Sequence, residues 1–402
     1  MNIATKRLGD LADVFNGKTP SKSEQRENGH PVLKIKDVSE FGEYRGQFES
    51  FVEKNLAEKH ASRWIKSGDS LILNAAHNAE YVASKIFLCT REVEGSLPTG
   101  EWLLVRPNQK ELIPEYFHYW LKSNQARKDI RFIVKGIHLY PKDVAKLIVP
   151  CPQISEQRRI IEILSHAESI VRLRRAAKEK AKAIIPALFL DIFGEPTRNP
   201  KGWPIKTLGE LVSMISGGTP SKAHSEYWNG TLPWVSPKDM KTPDIFDSID
   251  HIHNKVLRET NIKLVPLGAI LIVVRGMILV HTVPVARAMV PITINQDMKA
   301  MVPCSEISSF YLLWALRVLQ PHLLELVTTA AHGTRKLDTA RLESLRLPVP
   351  PLSKQQFFEF RGEEIISFQF KQELAAAKAQ ATFDALLSGS WDVCSLGKRG
   401  SK

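Results

Sequence analysis

The sequence predicts an α+β chain. Two tandem mixed α/β domains are separated by two long helices that form an antiparallel coiled coil, and the halves are related by a pseudo-twofold internal repeat. Three observations predict this. Sequence blocks recur in the same order at a near-constant offset. Each repeat opens with about 150 residues of short strand-like runs, turn residues and a few helices. Each repeat closes with a long, helically periodic stretch. With 402 residues, 43% hydrophobic and 24% charged, the composition is that of a globular protein and excludes a collagen-like or disordered chain.

The repeat is explicit. Arg7–Lys22 (RLGDLADVFNGKTPSK) and Thr207–Lys222 (TLGELVSMISGGTPSK) share 8 of 16 residues at an offset of 200. Pro31–Val38 (PVLKIKDV) matches Pro233–Met240 (PWVSPKDM) at 202, and Pro150–Gln157 (PCPQISEQ) matches Pro348–Gln355 (PVPPLSKQ) at 198. Ordered blocks with so little drift mark a tandem duplication of a unit about 200 residues long. Leu71–Leu73, Trp102–Val105 and Ala269–Val274 are expected strands, and Glu115–Asn124 and Ser309–Leu319 expected helices.

Prolines at Pro150–Pro152 and Pro348–Pro351 stop the preceding structure, and Ser155 and Ser353 are natural N-caps for the two long helices. From Ser155 to Asp191 there is no glycine, and Pro186 should kink or end the regular helix. Apolar residues at Ile160, Ile163, Ala167, Ile170, Ala177, Ala181, Ile184 and Leu188 alternate three and four apart. Ile365, Phe368, Phe370, Leu374, Ala377 and Ala381 repeat more loosely in the second helix. The first helix leads from the first domain to the second, and the second helix is expected to run back antiparallel along the first; a helix packed on its own domain is the alternative. A rod of about 55 Å would hold two readers roughly 10–16 base pairs apart. The expected boundaries are domains at 1–152 and 199–350, spacer helices at 153–198 and 351–392, and a flexible basic tail at 393–402.

Charge points to the partner. The chain carries a formal charge of +12, with 32 basic against 25 acidic residues in the first 200 and 23 against 18 in the remainder. A positive excess in both halves suits a polyanion, nucleic acid first, though a solvated basic surface would look the same. The polar N-terminus lacks a secretory pattern, no apolar run is long enough to span a bilayer, and Cys89, Cys151, Cys304 and Cys394 form no C-x-x-C pair. A cytoplasmic protein with free thiols is expected. Gly17-Lys18-Thr19 resembles the end of a P-loop, but Ala12 stands where its first glycine is required. No amino-methyltransferase tetrapeptide, dinucleotide fingerprint, zinc-ligand spacing or nucleophile elbow is present. Asp-x-Lys at Asp239–Lys241 and Asp297–Lys299 lacks a well-spaced partner acid. Neither a catalytic nor a metal site is expected.

The L-G-[DE]-L blocks at Leu8–Leu11 and Leu208–Leu211, the paired Gly-x-Thr-Pro-Ser loops, the P-x-P-x-[IL]-S-x-Q boundaries and Tyr227-Trp228-Asn229-Gly230 resemble the specificity subunit of type I restriction-modification enzymes. The first repeat departs from that pattern, with Gln25-Arg26-Glu27 where the aromatic pair should sit. The resemblance covers nearly the whole chain. It implies two target-recognition domains, each reading one half of a split, asymmetric site on double-stranded DNA. It also implies helices that dock two methyltransferase (modification) subunits, joined by translocase-nuclease (restriction) subunits. S-adenosylmethionine, ATP and magnesium would belong to those partners, with no cofactor bound by this chain. A stand-alone nuclease or methyltransferase, and a coiled-coil scaffold that never touches DNA, are the competing classes.

Candidate DNA-binding residues follow from chemistry. In Gly17, Lys18, Thr19, Ser21, Lys22 and in Gly217, Gly218, Thr219, Ser221, Lys222, glycine permits close main-chain approach, hydroxyls can bond phosphate and lysine adds charge. A purely structural turn is the alternative. Lys36 and Lys238 recur in one block and face phosphate or pair with Asp37 and Asp239. Before each helix, Gly136, His138 and Tyr140 stand opposite Gly333, Thr334, Arg335 and Lys336, and Arg335 suits a bidentate guanine contact or a phosphate. Mid-unit, His77 and Asn78 stand opposite Arg275, in segments that diverge as two different half-sites would require. Arg172–Lys182, with six basic residues and one acidic, follows spacer phosphates, meets an acidic partner or is simply solvated.

Overall fold

The structure, a computed structural model, describes residues 4–329 and 333–392. The chain divides into two compact units, 1–175 with 375–402, and 176–374. The expected tail, 393–402, and Cys394 lie outside the described residues. The architecture is α+β, as the sequence predicts.

In the first unit, Thr5–Arg7 pairs antiparallel with Ile148–Pro150, tying the start of the mixed domain to the residues that lead into the long helix. The main sheet has the order Ala12–Asn16, Trp102–Pro107, Ser70–Leu73, Ile86–Leu88, all neighbours antiparallel. Leu71 is opposite both Leu104 and Phe87, and all three are buried. A smaller sheet joins Gln25–Arg26, Phe51–Val52, His30–Leu33 and Leu97–Pro98, the last pair parallel.

The second unit repeats this plan. Ile205–Thr207 pairs with Arg346–Pro348. Val212–Ser216, Met298–Pro303, Ile270–Val273 and Val285–Ala288 form the main sheet, and Asp244–Ile245 adds a fifth, parallel strand. Asp250–Ile252, Leu232–Val235 and Thr293–Ile294 form the smaller sheet. A two-stranded ladder, Val327–Thr329 with Arg335–Leu337, is added to this plan. Helices Pro114–Lys122 and Ser309–Val318 cover the sheets as expected. A further helix, Asn124–Ile133, is not among the expected elements; Ser123 starts it by accepting the Ala126 N–H at 3.1 Å.

The long helices are Ile154–Lys182, Ile184–Phe193 and Leu352–Asp392. The break at Ala183 has a physical cause: Pro186 has no N–H for the carbonyl four residues back, and its ring crowds that carbonyl. Ser155 and Ser353 are not N-caps, because each helix begins one residue before the serine. The N–H groups of Gln157 and Gln355 bond instead to the carbonyls of Gln153 and Pro351.

The expected 3–4 seam is also revised. Ile163, Ile170, Phe368, Phe370 and Leu374 are exposed, each by 45% or more. At the start of the helices Gln157, Ile160 and Leu164, and Gln355 and Phe358, are buried three or four apart, whereas Ala181, Ile185, Phe189 and Phe193, and Phe383, Leu387 and Trp391, are buried four apart. Spacing by four places Ile185, Phe189 and Phe193 on a face that meets the core of the second unit, and Phe383, Leu387 and Trp391 on one that meets the core of the first. Within the second unit the helices run antiparallel: Lys178 pairs with Glu373 at 2.7 Å, Gln369 donates to the Ala181 carbonyl at 2.6 Å, and Phe193 packs on Phe358. Within the first unit, Ile163 to Arg174 and Ala375 to Leu386 line one groove of about 480 Å3.

Candidate nucleic-acid interface

In an antiparallel sheet, the end of one strand lies beside the start of its neighbour. The C-terminal ends of Ala12–Asn16 and Ser70–Leu73 therefore share one sheet edge with the N-terminal end of Trp102–Pro107. The Gly17 loop, the Asn74–Asn78 segment and Gly100-Glu101 all leave from that edge. Asn74, buried, is its hub. Its side-chain amide donates to Asn16 Oδ1 at 3.1 Å and to the Gly100 carbonyl at 2.9 Å, while its carbonyl accepts the Leu139 N–H at 2.8 Å. That last bond brings in the pre-helix segment, where Ala75 bridges His138. Gly136, at φ +62°, makes the turn. His77, Asn78, Gly136, His138 and Tyr140 are exposed, with the rings of His138 and Tyr140 6.2 Å apart and those of His77 and Tyr81 5.0 Å apart.

The second unit brings together the counterparts of three of these segments: 274–276 after the strand, Asp297, and the pre-helix segment 333–337. Gly276 donates to the Arg335 carbonyl at 3.1 Å, Leu337 to the Val274 carbonyl at 2.9 Å, and Arg275 bridges Lys336. Val274 and Arg275 both donate to the Asp297 carbonyl. Gly333 has φ +77° and is exposed; Thr334, Arg335 and Lys336 are half-buried. The Arg335 guanidinium donates to Thr329 Oγ1 at 2.7 Å across the ladder, and Lys336 faces Asp338 at 3.4 Å. Two clusters that are some 60 residues apart in sequence thus form one surface in each unit.

The Gly-x-Thr-Pro-Ser loops are tightly bound to their own unit. A Cβ at Gly17 would lie 2.2 Å from the Thr99 carbonyl oxygen, and one at Gly217 1.8 Å from that of Asn295, so only glycine fits. Thr19 Oγ1 accepts the Gly100 N–H at 2.8 Å and donates to Glu101 at 3.2 Å. Thr219 donates to Gln296. Ser21 is engaged with Glu24 in a capping box, and Ser221 Oγ accepts the Ala223 N–H. Gly218 accepts from the Trp234 indole at 2.9 Å. The hydroxyls therefore serve the loop fold, while Lys18, Lys22 and Lys222 stand exposed at its rim.

Lys36 and Lys238 do not pair with Asp37 and Asp239. They pair with Glu49 and, at 2.6 Å, with Asp250, and those hydrogen bonds raise both ammonium groups above their ordinary range. Asp37 and Asp239 instead accept the N–H of Lys34 and Ser236, at 2.7 and 2.8 Å. In the basic helical strip, Arg175 bonds Glu43 at 2.7 Å and lies over Phe41, and Lys182 bonds Glu179. The structure adds residues that the sequence reading did not select: Asn16, Asn74 and Asp297 as organisers, and the exposed Met277, Ile278 and Val280 beside Arg275. The last three were legible as an apolar run directly after a strand and a glycine.

Residues 2–183 and 200–358 match the family described as the type I restriction modification DNA specificity domain. Over 252 residues the chain is 31% identical to the EcoR124I/EcoR124II type I restriction enzyme specificity subunit of Escherichia coli, covering 60% of this chain and 60% of that protein's length. A solved structure described as the basis of complex assembly and conformational transition of the type I R-M system matches with TM-score 0.59 and 21% identity over 97% of both chains. The type I restriction-modification system S subunit from M. genitalium matches with TM-score 0.55 and 14% identity over 97% of this chain and 96% of that one. At these identities the structures speak to the fold.

Proposed function

The chain belongs to the type I restriction modification DNA specificity family, and from that premise we propose that it is the sequence-specific DNA-recognition subunit of a type I restriction-modification complex. The readers, 1–152 and 199–350, each take one half of a bipartite, asymmetric target. The observation that carries this is the convergence, at the same sheet edge of each unit, of three segments whose framework is shared and whose exposed residues differ. A common framework with different tips is what reading two different half-sites requires. The lysines at the loop rims take phosphate, which positions the protein, and the His77–Asn78–His138 and Arg275–Arg335 surfaces take base edges.

The subunit is non-catalytic and acts in the cytoplasm. Adenine methylation with S-adenosylmethionine, and ATP- and magnesium-dependent translocation and cleavage, belong to its partners. The long helices, 153–198 and 351–392, dock two methyltransferase subunits, supported by the apolar side chains exposed along them at Ile170, Leu173, Phe370 and Leu374. No helix of the described residues is long and apolar enough to cross a membrane.

A salt titration of duplex binding by the assembled methyltransferase tests the reading. The log–log slope is expected to be steep, about −0.9 per phosphate contacted. Binding that ignores salt would defeat it, and DNA turnover by the purified chain alone would make the chain an enzyme.

A further inference from the structure

Resting on the DNA-recognition reading, we infer that the turn Met277–Val280 of the second unit reads thymine methyl groups in its half-site, with Met277 and Ile278 as the contacting side chains. The turn leaves the main sheet directly after the strand Ile270–Val273, through the exposed Arg275 and through Gly276 at φ +132°. It is held firmly. Leu279 is 2% exposed and sits in the core, its N–H donating to the Gly276 carbonyl at 3.2 Å. Behind it, the Thr282 hydroxyl donates to Gln320 at 3.0 Å. That anchoring leaves Met277 63%, Ile278 42% and Val280 42% exposed, three aliphatic side chains in one turn.

A fixed apolar tip in water marks a contact surface, and its surroundings select the partner. Arg275 precedes it in the chain, and Arg335 and Lys336 lie across the Gly276 and Arg275 pairing. Cations around an apolar tip match a polyanion that offers apolar points. In the major groove of B-DNA, the thymine C5-methyl is the apolar group that a base pair presents, and apolar side chains contact it. The first unit builds its corresponding turn, Ala79–Tyr81, with other chemistry. There His77 and Tyr81 pack their rings, and Asn78 Oδ1 accepts the Glu80 N–H at 3.1 Å. Methyl readout through this turn is therefore a property of one half-site.

The test uses the full chain assembled with its methyltransferase partners, on a duplex carrying the target mapped by methylation sequencing. Each thymine is replaced in turn by deoxyuridine, which removes only the methyl. Loss of a contacted methyl is expected to weaken binding about fourfold at one or two positions of one half-site. Met277→Ala combined with Ile278→Ala should abolish that penalty, while Met277→Leu should retain it. A flat uracil scan with full binding would overturn the methyl readout and leave DNA recognition standing. A penalty that survives the double substitution would assign the methyl contact elsewhere and overturn it too. A double variant that no longer assembles with its partners would make the turn a protein contact and overturn the methyl readout as well. No binding to any duplex would overturn the recognition reading itself.

Discussion

In the second unit, the recognition domain is joined to the long helix by an ion cluster around the buried Arg287. Arg287, on an inner strand of the main sheet, donates to Asp244 at 2.9 Å and to Glu359 of the helix at 3.5 Å. Beside it, Phe310 and Phe358 pack with ring centroids 5.1 Å apart, and the ring of Phe310 fills the space where a side chain at Gly362 would stand. In the first unit, Leu164 is in the place of Gly362, and the corresponding region holds a cleft of about 740 Å3 lined by Phe41, Glu43, His118, Lys122 and Glu168 among others. Lys122 and Tyr119 both bond Glu168, at 2.7 and 2.9 Å. The duplicated fold thus tolerates an ion-and-aromatic joint in one copy and a polar, open one in the other. What both copies retain is the frame. Gln157 and Gln355, each 0% exposed, accept the N–H of Ile113 or Ser308 and donate to two carbonyls apiece. Tyr116 and Tyr311 donate to the carbonyls of Pro150 and Pro348.

The largest effect should come from the joint that differs. Arg287→Ala leaves Asp244 and Glu359 short of their cation in a half-buried site and is expected to cost the second unit about 3–5 kcal/mol. Arg175→Ala removes a much more exposed pair with Glu43 from the first unit and should cost under about 1 kcal/mol. Urea unfolding midpoints of the two variants check this; equal losses would contradict the contrast.

The shared frame should respond alike in both units. Gln157→Ala and Gln355→Ala each strip partners from one half-buried N–H and two carbonyls, for an expected loss of about 2–4 kcal/mol. Markedly different midpoints for the two variants would mean that the staples are not equivalent.

A smaller, pH-dependent effect belongs to the first unit. His118 is 7% exposed and its Nδ1 has no hydrogen-bond partner. Burial, with the Lys122 charge beside it, holds the imidazole well below its ordinary value of 6.5. The folded protein keeps it neutral while the unfolded chain gains a proton as pH falls through that value. Its neutral form is therefore compatible with full stability above about pH 6.5, and stability is lost as the medium is acidified below it. His118→Leu, which installs the residue type found at the corresponding Leu313, should flatten this dependence in thermal melts between pH 7.5 and 5.5. An unchanged slope would assign it to other groups.

The sequence made much of this legible because duplication let one copy check the other. The repeated Gly-x-Thr-Pro-Ser loop, the proline boundaries and the strand runs all lie where the blocks match. Gln157 and Gln355 are visible as the last matching residue of their block, yet their role is not, because two of the three groups each one bonds lie more than 40 residues away in sequence. The meeting of Ala75 with His138 and of Arg275 with Lys336 is likewise a long-range pairing that no local period encodes. The helix seam departs from a simple 3–4 alternation because stretches of both helices bury a face against their own unit's core. The Ser155 and Ser353 caps failed because local preference was overridden by the backbone path through the prolines.

The sharpest measurement is methylation sequencing of DNA from cells carrying this chain together with the methyltransferase subunits proposed above. One asymmetric target in two parts is expected, separated by a spacer of constant length and unread sequence. Substitutions in the Arg275–Arg335 surface should change only one of those parts. A continuous or palindromic target, or simultaneous change of both parts by Arg335→Ala, would contradict the two-part reading.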